Sequence, residues 1–106
     1  LHPGPVVAAD AARAEAEAAM AAAGVDWVGV LDGDRLLGWV DRAALAGVDR
    51  VGDAPCERFR AWVGPDATIR QALDDIVNSR TRVAVVLDGD RYLGMLTVDQ
   101  LAEALE

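Results

Sequence analysis

This chain of 106 residues has few of the side chains on which catalytic and metal-binding sites usually depend: one cysteine, one histidine and no lysine. The single cysteine, Cys56, excludes an internal disulfide and suits a reducing compartment. The single histidine, His2, lies at a terminus that we expect to be frayed, so no Ser-His or Cys-His pair and no His-rich metal site can be assembled. Without lysine there is no phosphate-binding Gly-rich loop of the kind that carries Lys. We therefore expect no catalytic residues, no metal ligands and no enzymatic activity.

Long apolar runs and a basic surface are also missing. Hydrophobic residues make up 53% of the chain, but Asp, Gly or Arg interrupts every run well below the length of about 20 residues that spans a bilayer, so we expect no membrane insertion. The formal net charge of −8 repels phosphate backbones, which argues against nucleic acid as a partner, although an acidic surface also simply keeps a small domain soluble. Because the chain begins at Leu1 rather than Met, we expect a fragment of a larger protein.

What the sequence does contain is an internal repeat. The segment 30–38 reappears at 86–94 with eight of nine residues identical, and the offset of 56 holds without a gap as far as the pair Leu45 and Leu101. A unit of about 50 residues is too small to bury an adequate core alone, so the two copies should pack on each other. We predict a first repeat at 1–47, a linker at 48–60 and a second repeat at 61–106.

Each copy has the pattern β-α-β-β-α, which predicts a mixed α+β (α/β) fold. In the second copy the elements are a strand at 61–63, a turn at Gly64-Pro65-Asp66, a helix of about three turns N-capped by Thr68 with an apolar face ending at Val77, strands at 82–87 and 91–96, and a helix at 98–105. In the first they are a strand at 6–7, an Ala-rich helix at 10–23 stopped by Gly24, strands at 27–31 and 36–40, and a helix at 41–46. The Ala-rich helix has little side chain to bury, so we expect it to be an outer, weakly anchored element.

The second hairpin strand ends in Gly94-Met95-Leu96-Thr97 and runs straight into a helix. A tandem β-α-β-β-α unit with this ending resembles a CBS domain pair, or Bateman module, over about residues 5–105. The resemblance implies two repeats packed about a pseudo-twofold axis, with clefts in which adenine nucleotides often bind. It also implies a regulatory, non-catalytic module that forms homodimers.

The ligand-binding pattern of that family is Gly, two hydrophobic residues, Thr or Ser, two free positions and Asp. Its hydroxyl would hold a phosphate and its carboxylate would accept from ribose hydroxyls. The second copy matches at Gly94 and Thr97, but Gln100 occupies the ribose position and Asp99 lies one place early. By this resemblance the second copy contains half of a nucleotide site.

The first copy matches the pattern only at Gly38 and its two hydrophobic neighbours, because Asp41 replaces the Thr and Ala44 replaces the Asp. A carboxylate at Asp41 would repel a phosphate, so the first copy should bind nucleotides poorly. Structural roles remain open for the same residues: Asp41 and Thr97 are also preferred helix N-caps, and a strand glycine often allows close packing.

Aromatic and acidic residues elsewhere admit two interpretations. Trp27, Trp39 and Trp62 would suit a stacking platform, but they fall at apolar strand positions, which favours core or dimer-interface packing. Four aspartates flank the glycines of the two hairpins: Asp32, Asp34, Asp88 and Asp90. Asp commonly forms turns at such positions, and the closing Glu that a calcium loop needs is absent.

The wording of the two hairpins, Leu36-Leu37-Gly38-Trp39-Val40-Asp41 and Arg91-Tyr92-Leu93-Gly94-Met95-Leu96-Thr97, looks like the CBS pair at the C-terminal end of ATPase subunits of glycine betaine, proline or choline ABC importers. That likeness implies a cytoplasmic module attached to an ATPase domain at the inner face of the membrane. It would tune osmoprotectant uptake in response to ionic strength or a nucleotide. The alternatives are an adenine-nucleotide sensor on another protein and a ligand-free dimerisation scaffold.

Overall fold

The computed structural model describes residues 3–64 and 68–104. The predictions that concern His2, Pro65-Asp66 and Leu105 lie outside these residues. The chain divides into two compact units: the first comprises Gly4–Arg58, and the second comprises Pro3 together with the described residues from Phe59 onward. The boundaries predicted for the repeats and the linker, at residues 47, 60 and 61, remain predictions from the sequence.

The first unit has the predicted β-α-β-β-α order, followed by one short 3-10 helix. Its elements are β1 at Val6–Ala8, α1 at Arg13–Ala23, β2 at Trp27–Asp32, β3 at Arg35–Asp41, α2 at Arg42–Leu45 and the 3-10 helix at Val51–Asp53. β1 runs parallel to β2, with Val7 opposite Val30, and β2 runs antiparallel to β3. A parallel pair needs a crossover, which α1 supplies.

The second unit repeats this arrangement. Its elements are β4 at Trp62–Val63, α3 at Ile69–Ile76, β5 at Val83–Asp88, β6 at Arg91–Thr97 and α4 at Val98–Ala104. β4 is parallel to β5, and β5 is antiparallel to β6. The mixed α/β fold predicted from the pattern is therefore confirmed.

Both hairpins turn at a glycine and contain the same irregularity. Gly33 and Gly89 adopt φ of +64° and +62°, the left-handed conformation that a tight Asp-Gly turn requires. The register shifts between Val30 and Leu31 and again between Val86 and Leu87. The shift leaves Leu37 and Leu93 without a partner in the other strand of their own hairpins, and these two leucines are exposed.

Each unit has its own buried cluster. In the first, the fully buried side chains come from α1, the strands, α2 and the 3-10 helix: Ala16, Met20, Val28, Val30, Val40, Leu45 and Val51. In the second they are smaller on average: Ala61, Ala72, Ile76, Ala84 and Leu101. The repeat partners Leu45 and Leu101 occupy matching positions in these clusters, so the two repeats use one packing scheme.

The helix predicted at 10–23 begins later, at Arg13. Ala12 forms a β-bridge with Arg50, and the Arg13 N–H donates to the carbonyl of Asp49 at 2.9 Å. Because Ala12 is extended, with φ of −71° and ψ of 153°, a helix cannot run through it from Asp10 and begins only at Arg13. Within α1, Ala16 and Met20 are fully buried.

The helix predicted from Thr68 begins as expected but is shorter than three turns, with eight residues ending at Ile76. The Thr68 hydroxyl accepts from the N–H of Gln71 at 3.1 Å, which confirms the N-cap. Val77 does not join the buried face and is 54% exposed. The Ser79 hydroxyl donates to the carbonyl of Ile76 at 2.8 Å and so terminates the helix. By the repeat offset Ile76 corresponds to Met20, so α3 ends three residues earlier than α1, which ends at Ala23.

Candidate ligand-binding site

The turn from β6 into α4 is closed by two reciprocal hydrogen bonds. The Thr97 hydroxyl accepts from the N–H of Gln100 at 3.3 Å, and the Thr97 N–H donates to the side-chain oxygen of Gln100 at 2.9 Å. This is a capping box, and it confirms that Thr97 serves as a helix N-cap. Because only oxygen can accept from an N–H, the amide NH₂ of Gln100 is the end that points away from the cap. The ribose position therefore presents a donor where the family pattern has a carboxylate acceptor.

The corresponding turn in the first repeat is capped by its acidic residue. A carboxylate oxygen of Asp41 accepts from the N–H of Ala44 at 2.8 Å, which confirms Asp41 as the N-cap of α2. Ala44, at the ribose position, contributes no polar side chain. A phosphate at this turn would meet the Asp41 carboxylate, and poor nucleotide binding by the first repeat stays a prediction.

Gly38 is used for close backbone packing. At its φ of +145°, an added Cβ would collide with the carbonyl group of Glu57. The segment that contains Glu57 is held against β3 by two backbone hydrogen bonds, from Trp39 N–H to the Glu57 carbonyl at 2.8 Å and from Glu57 N–H to the Trp39 carbonyl at 2.9 Å. Gly94, its repeat partner, is likewise buried on β6. The structural alternative for the strand glycine thus holds at Gly38.

The remaining acidic candidates stay apart from these turns. Asp99 is exposed in the first turn of α4. Asp32 and Asp88 lie opposite Arg35 and Arg91 at the ends of the hairpin strands, as turn residues do. Within residues 3–64 and 68–104, no group of three His, Cys, Asp or Glu side chains is arranged to hold a metal ion.

Sequence reasoning missed the basic segment that leads into β5. Val83 pairs with Thr97, so Arg82 immediately before β5 reaches the same edge of the sheet at which Thr97 caps α4. Arg82 has φ of +59°, which is uncommon for a residue other than glycine, and its N–H donates to the Ser79 hydroxyl at 3.0 Å. Arg80 and Arg82 are exposed, whereas Ser79 and Thr81 are buried. Exposed guanidinium groups at this edge favour anions.

At the same edge of the first repeat, acidic residues take the places of Arg82 and Thr97, and Arg42 follows the second of them. Asp26 takes the place of Arg82, and the backbone carbonyl of Asp26 accepts from the N–H of Arg42 at 3.0 Å. Trp27 pairs with Asp41, so the acidic residues Asp26 and Asp41 lie at the same edge of the sheet. Aligning Ser79-Arg80-Thr81-Arg82 with residues 23–26 of the first repeat would have exposed this contrast from the sequence.

The three tryptophans do not share one environment. Trp27 is 3% exposed, as core packing predicts. Trp39 is half-buried, and its indole N–H donates to the carbonyl of Arg58 at 3.3 Å. Trp62 on β4 is 37% exposed. Core packing therefore accounts for Trp27, and a backbone hydrogen bond accounts for the position of Trp39.

Comparisons with known proteins match the second repeat by sequence and nearly the whole chain by structure. The profile of the CBS domain matches residues 56–106. A comparison with curated protein sequences finds no match. Within the described residues, no helix has both the length and the apolar character needed to cross a bilayer.

Solved structures of CBS-domain proteins share the fold of nearly the whole chain. A CBS domain pair/ACT domain protein from Thermotoga maritima has a TM-score of 0.82 at 20% identity, covering 99% of this chain and 90% of that one. Staphylococcus aureus OpuCA gives 0.72 at 22% identity, covering 99% and 93%. CBSX2 in complex with AMP, the Arabidopsis thaliana CBS-pair protein, gives 0.70 at 19% identity, covering 94% and 85%. Residues 56–106 therefore belong to the CBS domain family, and the chain as a whole has the fold of a CBS domain pair.

Proposed function

We propose that this chain is a cytoplasmic regulatory module in which the second repeat binds an adenine nucleotide and the first repeat does not. CBS domains are generally regulatory and non-catalytic. The observation that carries the proposal is the difference in charge between equivalent edges, with Arg80, Arg82 and Thr97 in the second repeat and Asp26 and Asp41 in the first. The arginines and the hydroxyl of the second repeat would stabilise a nucleotide phosphate, whereas the carboxylates of the first repeat would repel it.

Nucleotide binding by a relative supports the choice of ligand. CBSX2, which shares the fold, has been crystallised in complex with AMP. In this chain, Thr97 and Arg82 would face the phosphate, and the NH₂ of Gln100 would meet an acceptor on the ligand. Asp99, Gly94, Gly38 and Asp41 complete the set of candidate residues predicted from the sequence, and we assign direct ligand contact to none of these four.

We further propose that the parent protein is the ATPase subunit of an ABC importer for glycine betaine, proline or choline. The support is the amino-acid sequence of the two hairpins, together with the fold shared with Staphylococcus aureus OpuCA. In that setting the module would act at the inner face of the membrane, would pair with a second copy, and would bias the closure of the attached ATPase domains by differential stabilisation of two arrangements.

A thermal-shift series with AMP, ADP and ATP tests the proposed ligand. A ligand that binds only the folded state at 100 times its Kd stabilises that state by about 2.7 kcal/mol, so the melting temperature should rise. The matched pair of variants is Arg82→Ala and Asp26→Ala, which remove side chains at equivalent positions of the two repeats. We expect Arg82→Ala to abolish most of the rise and Asp26→Ala to leave it unchanged. Equal losses in both variants, or no rise in the unmodified chain, would refute the proposal.

A second candidate function, direct sensing of ionic strength, is favoured by the net charge of −8. Repulsion between acidic copies weakens as the Debye length falls from about 10 Å at 0.1 M salt to about 3 Å at 1 M. Small-angle scattering would detect the expected change in spacing or in oligomeric state between these salt concentrations. If neither salt nor any nucleotide has an effect and the chain is dimeric, the remaining function is a ligand-free dimerisation scaffold.

A further inference from the structure

The near-identical hairpin segments of the two repeats differ at one position. Residues 30–38 and 86–94 share eight of nine residues, and the exception is Leu36 in the first repeat against Tyr92 in the second. Both residues occupy the same place in the hairpin register, opposite Leu31 and Leu87. Because the surrounding sequence and strand geometry are shared, a contact made by the phenol alone would account for the difference.

Tyr92 makes such a contact. Its hydroxyl donates to the backbone carbonyl of Pro3, a residue 89 positions away in sequence. Pro3 belongs to the same compact unit as Tyr92, whereas Gly4–Arg58 forms the other unit. Gly4 has φ of +69°, a conformation that glycine adopts readily, so the chain can change direction immediately after the contact. Tyr92 is half-buried, and this burial raises the pKa of the phenol above its ordinary value, which keeps the hydroxyl protonated as a donor.

The first repeat holds an equivalent segment by a different side chain. The indole N–H of Trp39 donates to the carbonyl of Arg58, the last residue of the first unit, and Phe59 begins the second. The offset of 56 places Pro3 in register with Phe59. Each repeat therefore binds, through one aromatic hydrogen bond to a backbone carbonyl, the segment that leads into the other repeat.

We propose that Tyr92 is a latch by which the second repeat holds the backbone at Pro3, immediately before the first unit begins at Gly4. Movement of the second repeat is then transmitted directly through β6 to the backbone at Pro3. The first repeat has Leu36 at the equivalent position and so has no phenol there. Its Trp39 donates instead to the carbonyl of Arg58, in the segment that leads out of the first unit and that two backbone hydrogen bonds between Trp39 and Glu57 also hold. This inference goes beyond nucleotide binding, because the latch requires no ligand.

The latch is tested by ¹⁵N relaxation of the Gly4 amide in the complete chain. In the unmodified protein we expect an order parameter near that of rigid backbone, about 0.85, and in Tyr92→Phe a fall below about 0.6. Trp39→Phe is the matched control: it removes the other aromatic hydrogen bond and should leave Gly4 rigid, while the two backbone hydrogen bonds between residues 39 and 57 continue to hold the segment at Arg58. An unchanged order parameter at Gly4 in a folded Tyr92→Phe variant would overturn the proposal.

A second measurement does not depend on the folding of Tyr92→Phe. Tyr92 is the only tyrosine, so absorbance of tyrosinate reports its ionisation alone. Removing residues 1–3 from the chain should lower the pKa of Tyr92 towards its ordinary value, because the partner that helps to cover the phenol is lost. The same pKa with and without these residues would also overturn the latch.

Discussion

Two repeats with nearly the same hairpin differ at the edge where a strand runs into a helix. In the second repeat, Arg82 precedes β5 and Thr97 caps α4, whereas in the first repeat Asp26 and Asp41 take these positions. Both capping residues satisfy the first turn of a helix, so the local structure is preserved while the charge is reversed. One backbone scheme is thus kept in both halves of the tandem repeat, while the charged residues at this edge differ between the halves.

The shared scheme can be broken most strongly at its matched core leucines. Leu45 and Leu101 are both fully buried, so Leu45→Ala and Leu101→Ala should each lower the free energy of unfolding by about 2–5 kcal/mol through lost transfer energy and a cavity. Chemical denaturation measures this loss. Leu37→Ala and Leu93→Ala, at exposed bulge positions, are the controls and should stay within about 0.5 kcal/mol. Equal effects at buried and exposed leucines would refute the assigned core.

The packing role of Gly38 can be separated from the cost of its conformation. Gly38→Ala should destabilise the chain by more than about 1 kcal/mol, because the new methyl group would meet the Glu57 carbonyl in addition to the strain of a positive φ. Gly33→Ala has the same kind of strain with no atom within 4 Å of the added Cβ, so it should cost less. The two melting temperatures decide this, and a smaller loss for Gly38→Ala would show that the 56–58 segment does not pack against β3.

The stability that each helix cap provides should depend on its capping oxygen. Asp41→Ala and Thr97→Ala should each cost about 1 kcal/mol. Asp41→Asn and Thr97→Ser keep a capping oxygen and should restore most of the stability. Thermal unfolding of the four variants provides the measurement. Loss of stability in Asp41→Asn equal to that in Asp41→Ala would mean that the charge of Asp41, rather than its cap, matters for the fold.

The smallest expected effect is a fall in melting temperature at alkaline pH that depends on Tyr92, which only the second hairpin contains. Burial raises the pKa of Tyr92 in the folded state, so the neutral phenol is favoured by folding. This contribution is complete below the unfolded pKa of about 10 and is lost as the pH rises above it. The melting temperature should therefore fall more steeply above pH 10 in the unmodified chain than in Tyr92→Phe. Parallel curves would indicate an unshifted tyrosine.

Local signals in the sequence predicted the elements well, because each repeat contains its own turn and cap residues. Asp-Gly turns at Gly33 and Gly89, and the caps at Thr68, Asp41 and Thr97, are all set by neighbours within three residues. Contacts distant in sequence were not predicted. Neither the packing of Glu57 on Gly38 nor the bond from Tyr92 to Pro3 has a local pattern.

The candidate site was predicted in part for the same reason. The family pattern identified Thr97 and Gln100, whose hydrogen bonds are local. Arg82 enters the site only through the pairing of Val83 with Thr97, which joins two segments fourteen residues apart. The exposed position of Val77 also depended on a specific contact, the hydroxyl of Ser79 ending α3 early.

Calorimetric titration of the complete chain with AMP measures whether one repeat or both bind the nucleotide. We expect one AMP bound per chain. In Arg82→Asp, which gives the second repeat the residue of the first, the affinity should fall by at least about tenfold, because a hydrogen bond to a charged group contributes about 1.5–3 kcal/mol. Two AMP molecules per chain, or the same affinity in Arg82→Asp as in the unmodified chain, would contradict these expectations.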